Sequence, residues 1–217
     1  MGSFGVPFFI LFIMPVTYAA STELDAVNQI LSSVGQAPVT TLDLQNPEVA
    51  IVLTTLREVN KQVQSEGWMF NQERNYTLKP DSTTEEILYP TNALQVDANV
   101  NEHRDDFDVV RRGQKLYDRL HHTYKFEKDL KVDITWFYEF GDVPAAIQNY
   151  IVARAARMSA IKTVGEAQLT QLLQEQELMT RATAVEYDCN QGDYSIFGWR
   201  DGENYYNNYQ PYNALTR

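Results

Sequence analysis

Apolar residues recur at three- and four-residue steps through Val49, Val52, Leu53, Leu56, Val59 and Val63, the pattern of a helix with one apolar stripe. The stretch opens on Asn46-Pro47-Glu48: an N-cap, a proline at the first helical position, and a carboxylate facing the positive end of the helix dipole. Gly67 supplies a left-handed residue to end it, and Trp68 offers an apolar anchor just beyond. From Glu48 to Glu66 such a helix extends about 28 Å. Its stripe must be buried against other helices, and the pattern predicts three. The first is capped by Ser21 or Thr22, aligns Leu24, Val27, Ile30, Leu31 and Val34, and ends at Gly35. The turn Gln36-Ala37-Pro38 and a short extended segment, Val39 to Leu44, lead from it into the long helix. Two antiparallel helices are expected.

The period changes from Phe70 to Glu139. Tyr76-Thr77-Leu78 and Ile87-Leu88-Tyr89 are short strand candidates, broken by Pro80 and Pro90. Leu94, Val96 and Ala98 alternate with polar residues. Phe107 to Arg112 and Lys115 to Arg119 flank Gly113-Gln114, the Gly-X form of a two-residue hairpin turn. The clearest strand is Leu130 to Tyr138, with Leu130, Val132, Ile134, Trp136 and Tyr138 on one face. Helix returns at Asp142, expected as N-cap before Val143-Pro144, with Ile147, Tyr150, Ile151, Met158 and Ile161 marking a face. Ala145, Ala146, Ala153, Ala155, Ala156 and Ala160 favour helix there and permit a close neighbour. Gly165 separates a fourth helix running to about Tyr187, with Leu169, Leu172, Leu173, Met179 and Ala182 inward. Glu166, Glu175, Glu177 and Glu186 fall on its solvated or interface side.

The expected fold class is therefore α+β: a four-helix bundle core, an inserted small antiparallel β-sheet domain, and an extended C-terminal arm. Residues 1–20 read as an apolar N-terminal extension or arm, 21–70 with 141–188 as the helical bundle, 71–140 as the inserted β domain, and 189–217 as an aromatic-rich arm. In the first of these, Phe4 to Val16 is nearly uncharged and Thr17-Tyr18-Ala19-Ala20 resembles a cleavage region. A secretion signal would carry a basic start, whereas the first basic residue of the chain is Arg57. The other reading makes Met14 the natural start and the preceding residues an extension, or an arm packed on a neighbour. No segment is expected to span a membrane. At the opposite end, Tyr194, Phe197, Trp199, Tyr205, Tyr206, Tyr209 and Tyr212 sit among Asn, Gly and Asp with few aliphatics. Such a segment builds no core of its own, and aromatics give contact area at low rotamer cost, so a docking arm onto another protein is the functional reading. An arm folded back on its own domain is the alternative.

A net charge of −11 argues against a general nucleic-acid binder but suits a surface that DNA must pass without sticking. The single cysteine, Cys189, excludes an internal disulfide framework and is read as a buried or incidental thiol. His121-His122, on a strand, would point to opposite faces and not share a metal. Asp105-Asp106-Phe107-Asp108 lacks the glycine and distal glutamate of a calcium loop and reads as an exposed turn. Glu85-Glu86 offers half of a glycosidase pair, but nothing selects a second carboxylate. No nucleophile elbow, zinc-protease helix, P-loop or dinucleotide fingerprint occurs. Eight of the eighteen Lys and Arg cluster between Arg104 and Lys131: Arg104, Arg111, Arg112, Lys115, Arg119, Lys125, Lys128 and Lys131. They form either a solvated face or a surface for a partner's acids or passing DNA.

Three separated blocks resemble one family. Glu23-Leu24-Asp25-Ala26-Val27-Asn28-Gln29-Ile30-Leu31 with Val34-Gly35-Gln36-Ala37-Pro38-Val39 is similar to the opening of the tail tubular protein A family of T7-like short-tailed phages. Gln64-Ser65-Glu66-Gly67-Trp68-Met69-Phe70-Asn71 resembles its helix end, and Arg112-Gly113-Gln114-Lys115-Leu116-Tyr117-Asp118 its hairpin. With the helical third part, the resemblance covers roughly residues 18 to 188 in the same order. Gln36, where an acid is expected, and both ends of the chain depart from it. The resemblance implies a structural virion protein of the tail, not an enzyme and without cofactor or metal. It implies a head-to-tail adaptor: a homo-oligomeric ring, a 12-mer, joining the portal protein to the tail nozzle protein (tail tubular protein B-like). Tail fibres dock near the lower junction, and double-stranded DNA passes through on ejection. Assembly would take place in the host bacterial cytoplasm. On that reading the seven aromatics from Tyr194 to Tyr212 would clasp the portal, and Arg111, Arg112, Lys115, Tyr117 and Arg119 would face nozzle or fibre. The rival is a tail-associated glycan hydrolase using paired carboxylates. A secreted binding module would require cleavage at Ala19 or Ala20.

Overall fold

The computed structural model describes residues 22–99 and 106–192. Its helices are α1 (Glu23–Ser33), α2 (Pro47–Gln64), α3 (Ala145–Thr163) and α4 (Ala167–Gly192). Its strands are β1 (Gln72–Leu78), β2 (Ala93–Ala98), β3 (Val109–Arg112), β4 (Lys115–Asp118) and β5 (Leu130–Trp136). The architecture is α+β. Thr22 caps α1 in a capping box with Asp25, satisfying two backbone amides that the first turn would leave unpaired. Asn46 caps α2 through the Glu48 amide, with Pro47 at the first position as its sequence predicts. All six stripe residues of α2, from Val49 to Val63, are buried. The helix stops at Gln64 with Ser65 as C-cap, two residues before the expected Glu66, and Gly67 takes the left-handed φ of 76° just beyond.

Several expectations are corrected. Val39 to Leu44, expected to be extended, bends at Thr40 and Thr41 and enters a turn at Leu44; Asn28 pins it to α1, its side-chain amide exchanging hydrogen bonds with the Val39 backbone at 2.9 and 2.7 Å. Ile87-Leu88-Tyr89 makes only isolated bridges. Tyr138 has left β5 and is exposed, because the chain turns there into the short 3-10 helix Phe140–Asp142. Asp142 caps nothing; Pro144 occupies the cap of α3, and its fixed φ starts the helix without a side-chain hydrogen bond. His121 and His122 lie in a turn, not on a strand. Cys189 is exposed near the end of α4, which runs on to Gly192, past the expected Tyr187. Residues 1–21 and 193–217, with the N-terminal arm and the seven C-terminal aromatics, lie outside the described residues, as do Arg104 and Asp105.

The helices enclose one core. α3 is its centre, buried on most sides through Ile147, Tyr150, Ile151, Ala155, Ala156 and Ala160. Alanines let α1, α2 and α4 approach it closely, and all three pack on it. Lys162 of α3 reaches Thr55 and Glu58 of α2, while Arg157 pairs with Glu177 of α4. Glu177, expected on a solvated side, is thus half-buried. α4 differs from its neighbours: of its 26 residues only Leu173, Ala184 and Gly192 are buried. Leu172, Met179 and Ala182, expected inward, face outward, and so does Ile161 at the end of α3.

The strands form two sheets where one was expected. In the first, β5 is the middle strand, antiparallel to β1 and β2, in the order β1-β5-β2. In the second, β3 and β4 make a hairpin. Their shared apolar cluster includes Ile87, Val96, Val109, Leu116, Phe126, Leu130, Val132 and Ile134. Helical and sheet cores meet at a buried polar hub. Gln64 donates to Asn60 and to the Tyr138 carbonyl and accepts from the Tyr138 amide. Asn71 donates to the carbonyls of Gln64 and Trp136 and accepts from the Trp68 amide. Trp68 fills the corner, its indole N–H on the Val63 carbonyl and its ring edge-on to Tyr150. Near the end of α4, the Asp188 carboxylate accepts from the Met69 amide at 2.7 Å and ties that helix to the same corner.

Candidate docking site on the hairpin

The β3–β4 hairpin turns at Gly113-Gln114. Gly113 has φ of 66° while Gln114 keeps a negative φ, so the turn is of the type that needs glycine at its first central position. The segment before β2 stiffens it from one side: the Leu116 amide donates to the Ile87 carbonyl and the Tyr89 amide to the Gln114 carbonyl. Pairing of Val110 with Tyr117 and of Arg112 with Lys115 puts these four on one face of the hairpin. Val109, Arg111, Leu116 and Asp118 take the other, where Val109 and Leu116 enter the sheet core.

The candidate docking residues divide into two kinds. Lys115 and Arg119 are tied to acids of their own chain, Lys115 to Glu86 at 2.6 Å and Arg119 to Asp108 at 2.6 Å. Lys125 likewise pairs with Glu85 at 3.3 Å. Arg111 and Arg112 make no carboxylate pair among the described residues; each lies instead on a tyrosine. The Arg112 guanidinium sits 3.6 Å from the Tyr117 ring centroid, and Tyr117 is held edge-on by Tyr124 at 4.9 Å. The Arg111 guanidinium sits 4.5 Å from the Tyr89 ring and donates to the Gly113 carbonyl at 3.0 Å. Ring faces carry partial negative charge, so they hold the cations in place without neutralising them. Leu88, Leu120 and Tyr124 stand exposed nearby. The sequence pattern brings Arg112 and Tyr117 together through register alone. Tyr89 and Tyr124 come from separate segments, and no periodicity connects them to the hairpin.

The base of the hairpin is closed by Asp118, whose side chain is almost wholly buried. It accepts from the amides of Asp108 and Leu120 and meets the His121 ring nitrogen at 2.5 Å. Burial pushes the Asp118 carboxyl up, but the hydrogen bonds from His121, Leu120 and Asp108 outweigh it and hold the group below its ordinary value. A depressed carboxylate stabilises the fold above its unfolded pKa of about 3.9, and that contribution is lost as pH falls through the folded value. Asp118→Asn is therefore expected to lower stability by about 2 kcal/mol at neutral pH, with the gap from wild type closing in acid. Urea unfolding of both proteins across a descending pH series checks this; a gap independent of pH rejects it.

The glycosidase candidates fare differently. Glu85 and Glu86 are each engaged by a lysine, and Glu85 adopts a left-handed φ of 60° in its turn. Asp106 is exposed in its turn, as expected. Among the described residues no cluster of His, Cys, Asp or Glu could hold a metal ion, and no helix is long and apolar enough to cross a membrane.

Among the described residues the two most exposed candidate docking features are the outward half of α4, with Leu172, Leu178, Met179 and Val185, and the hairpin arginines Arg111 and Arg112, which have no carboxylate partner. The tail tubular protein family model matches residues 24–194, and the chain belongs to that family. It is similar to tail tubular protein A of Klebsiella phage KP34, 32% identical over 138 residues that cover 61% of this chain and 70% of that one. It is thus a structural protein of a phage tail.

Proposed function

We propose that the chain is the head-to-tail adaptor of a short-tailed phage: a homo-oligomeric ring, a 12-mer, between portal and nozzle. It would help dock tail fibres and form part of the DNA ejection channel. The observation that carries the reading is α4. Leu172, Leu178, Met179 and Val185 stay 64%, 59%, 72% and 44% exposed on a helix about 39 Å long. Leu172 with Met179 and Leu178 with Val185 form two lines on the half of α4 turned away from α3, and exposed aliphatic side chains in that number mark a surface that another molecule covers. A second copy of the chain is the occupant proposed, because α3 lies between α4 and the α1–α2 pair and the subunit therefore has two different flanks. Contacts between unlike flanks repeat head-to-tail and close into a ring when the rotation allows.

Within this reading the helical part, 21–70 with 141–188, joins subunits, and the inserted part, 71–140, reaches the nozzle and fibres through Arg111, Arg112, Lys115, Tyr117 and Arg119. Residues 189–217, with Tyr194, Phe197, Trp199, Tyr205, Tyr206, Tyr209 and Tyr212, would clasp the portal. The net charge of −11 gives the ring a lumen that repels DNA and lets it pass. The name of the Klebsiella phage relative supports the assignment. Assembly would occur in the host bacterial cytoplasm. Imaging the full chain mixed with purified portal and nozzle tests the proposal: rings should bridge the two. Truncation after Gly192 should keep ring and nozzle contact and lose the portal. A chain that bridges nothing overturns the reading.

A further inference from the structure

We infer that the hairpin tip docks into an acidic cleft of a partner protein, with Arg111 and Arg112 taking carboxylates from opposite sides. The inference deepens the reading of the hairpin as a docking element and rests on it. Three observations carry it. The neighbouring cations Lys115, Arg119 and Lys125 are already paired within the chain, whereas Arg111 and Arg112 have no carboxylate partner among the described residues. Both guanidiniums are held against tyrosine rings, so little rotamer freedom remains to be lost when a partner binds. Consecutive strand residues point to opposite faces, so the two forks flank the Gly113-Gln114 turn and do not form a stripe.

That geometry selects the partner. A nucleic-acid backbone needs cations in a row and would meet Glu85, Glu86 and Asp108 beside them. A flat acidic surface would engage only one of the two arginines. A cleft with carboxylates on both walls engages both, each in a charge-assisted and bidentate manner. The exposed Leu88, Leu120 and Tyr124 add an apolar rim where such a cleft would close around the base of the tip.

The test titrates the full chain with a fluorescent peptide of alternating aspartate and glutamate, with its asparagine–glutamine counterpart, and with duplex DNA as competitor. The acidic peptide should bind at least tenfold more tightly than the amide one. Joint Arg111→Gln and Arg112→Gln substitution should remove that preference, and Arg112→Lys, which keeps the charge but loses the planar fork, should weaken binding severalfold. Both arginines are exposed, so unchanged melting temperatures will confirm that the variants fold. Equal binding of acidic and amide peptides, or acidic binding untouched by the double substitution, overturns the inference. Displacement of the peptide by DNA at lower charge concentration also overturns it, in favour of a nucleic-acid surface. Docking of purified nozzle is measured alongside. If the double variant loses the peptide but keeps the nozzle, the acidic-cleft chemistry stands and the nozzle-facing reading of the hairpin fails.

Discussion

Replacing Asn71 by alanine is expected to cost about 3 kcal/mol of unfolding free energy, because it breaks three hydrogen bonds inside the junction of the two cores. The Trp68 amide loses its side-chain acceptor in a buried corner. The Trp136 carbonyl loses a donor, while the Gln64 carbonyl keeps the Gly67 amide at 3.2 Å. A net hydrogen bond contributes only about 1 kcal/mol, but a buried group left unpaired costs about 1–3 kcal/mol. The second figure dominates here, since Asn71 is 1% exposed. Asn71→Asp should be no milder: it keeps the acceptor for Trp68 but turns a carboxylate toward two carbonyls. Asn149→Ala, on the exposed side of α3, should stay within about 0.5 kcal/mol. Urea unfolding of the three variants decides the matter, and a loss below about 1 kcal/mol for Asn71→Ala would show the hub to be unimportant.

The second large effect is on assembly. Joint Leu178→Lys and Met179→Lys substitution on the outer face of α4 should weaken self-association more than tenfold, or about 1.4 kcal/mol, while leaving the subunit folded. Both side chains are more than half exposed, so their removal opens no cavity. Lysine is also a good helix former, and the Met179→Lys ammonium would stand four residues after Glu175, the favourable orientation for a helical ion pair. Folding and association are thereby separated. In a covered interface two lysines must be desolvated, which costs far more than in water. Sedimentation velocity across a concentration series, with circular dichroism as the fold control, provides the readout. Association equal to wild type would show that copies meet elsewhere.

These two sites also show what linear pattern reveals. α1 and α2 were legible because each has one apolar stripe and a side-chain cap, so period and punctuation agree. The β3–β4 hairpin was legible for a similar reason: Gly113 sits where only glycine is comfortable. α4 was not. Leu173 and Ala184 face α3, whereas Leu172 with Met179 and Leu178 with Val185 lie along two lines on the outward half, each pair seven residues apart. Spacing cannot tell a helix's own core from a face meant for another molecule. The cap of α3 misled because Asp142 is a fine N-cap in isolation, but the 3-10 turn and Pro144 claim that corner first. Gln64, Asn71 and Asp118 sit in sequence motifs that give no sign of their burial. A polar residue announces its burial only through partners, and theirs come from segments up to 74 residues away. At the candidate docking site, Arg112 over Tyr117 follows from strand register, whereas Tyr89 and Tyr124 arrive by tertiary folding.

The bond from the Met69 amide to the Asp188 carboxylate closes a loop of 119 residues. Met69 stands between Trp68 and Asn71, where the helices hand over to the strands. Tension applied along α4 from its C-terminal end is consequently shared between the long flank against α3 and this single clip. The clip passes its part of the load to the corner where the helical and sheet cores meet.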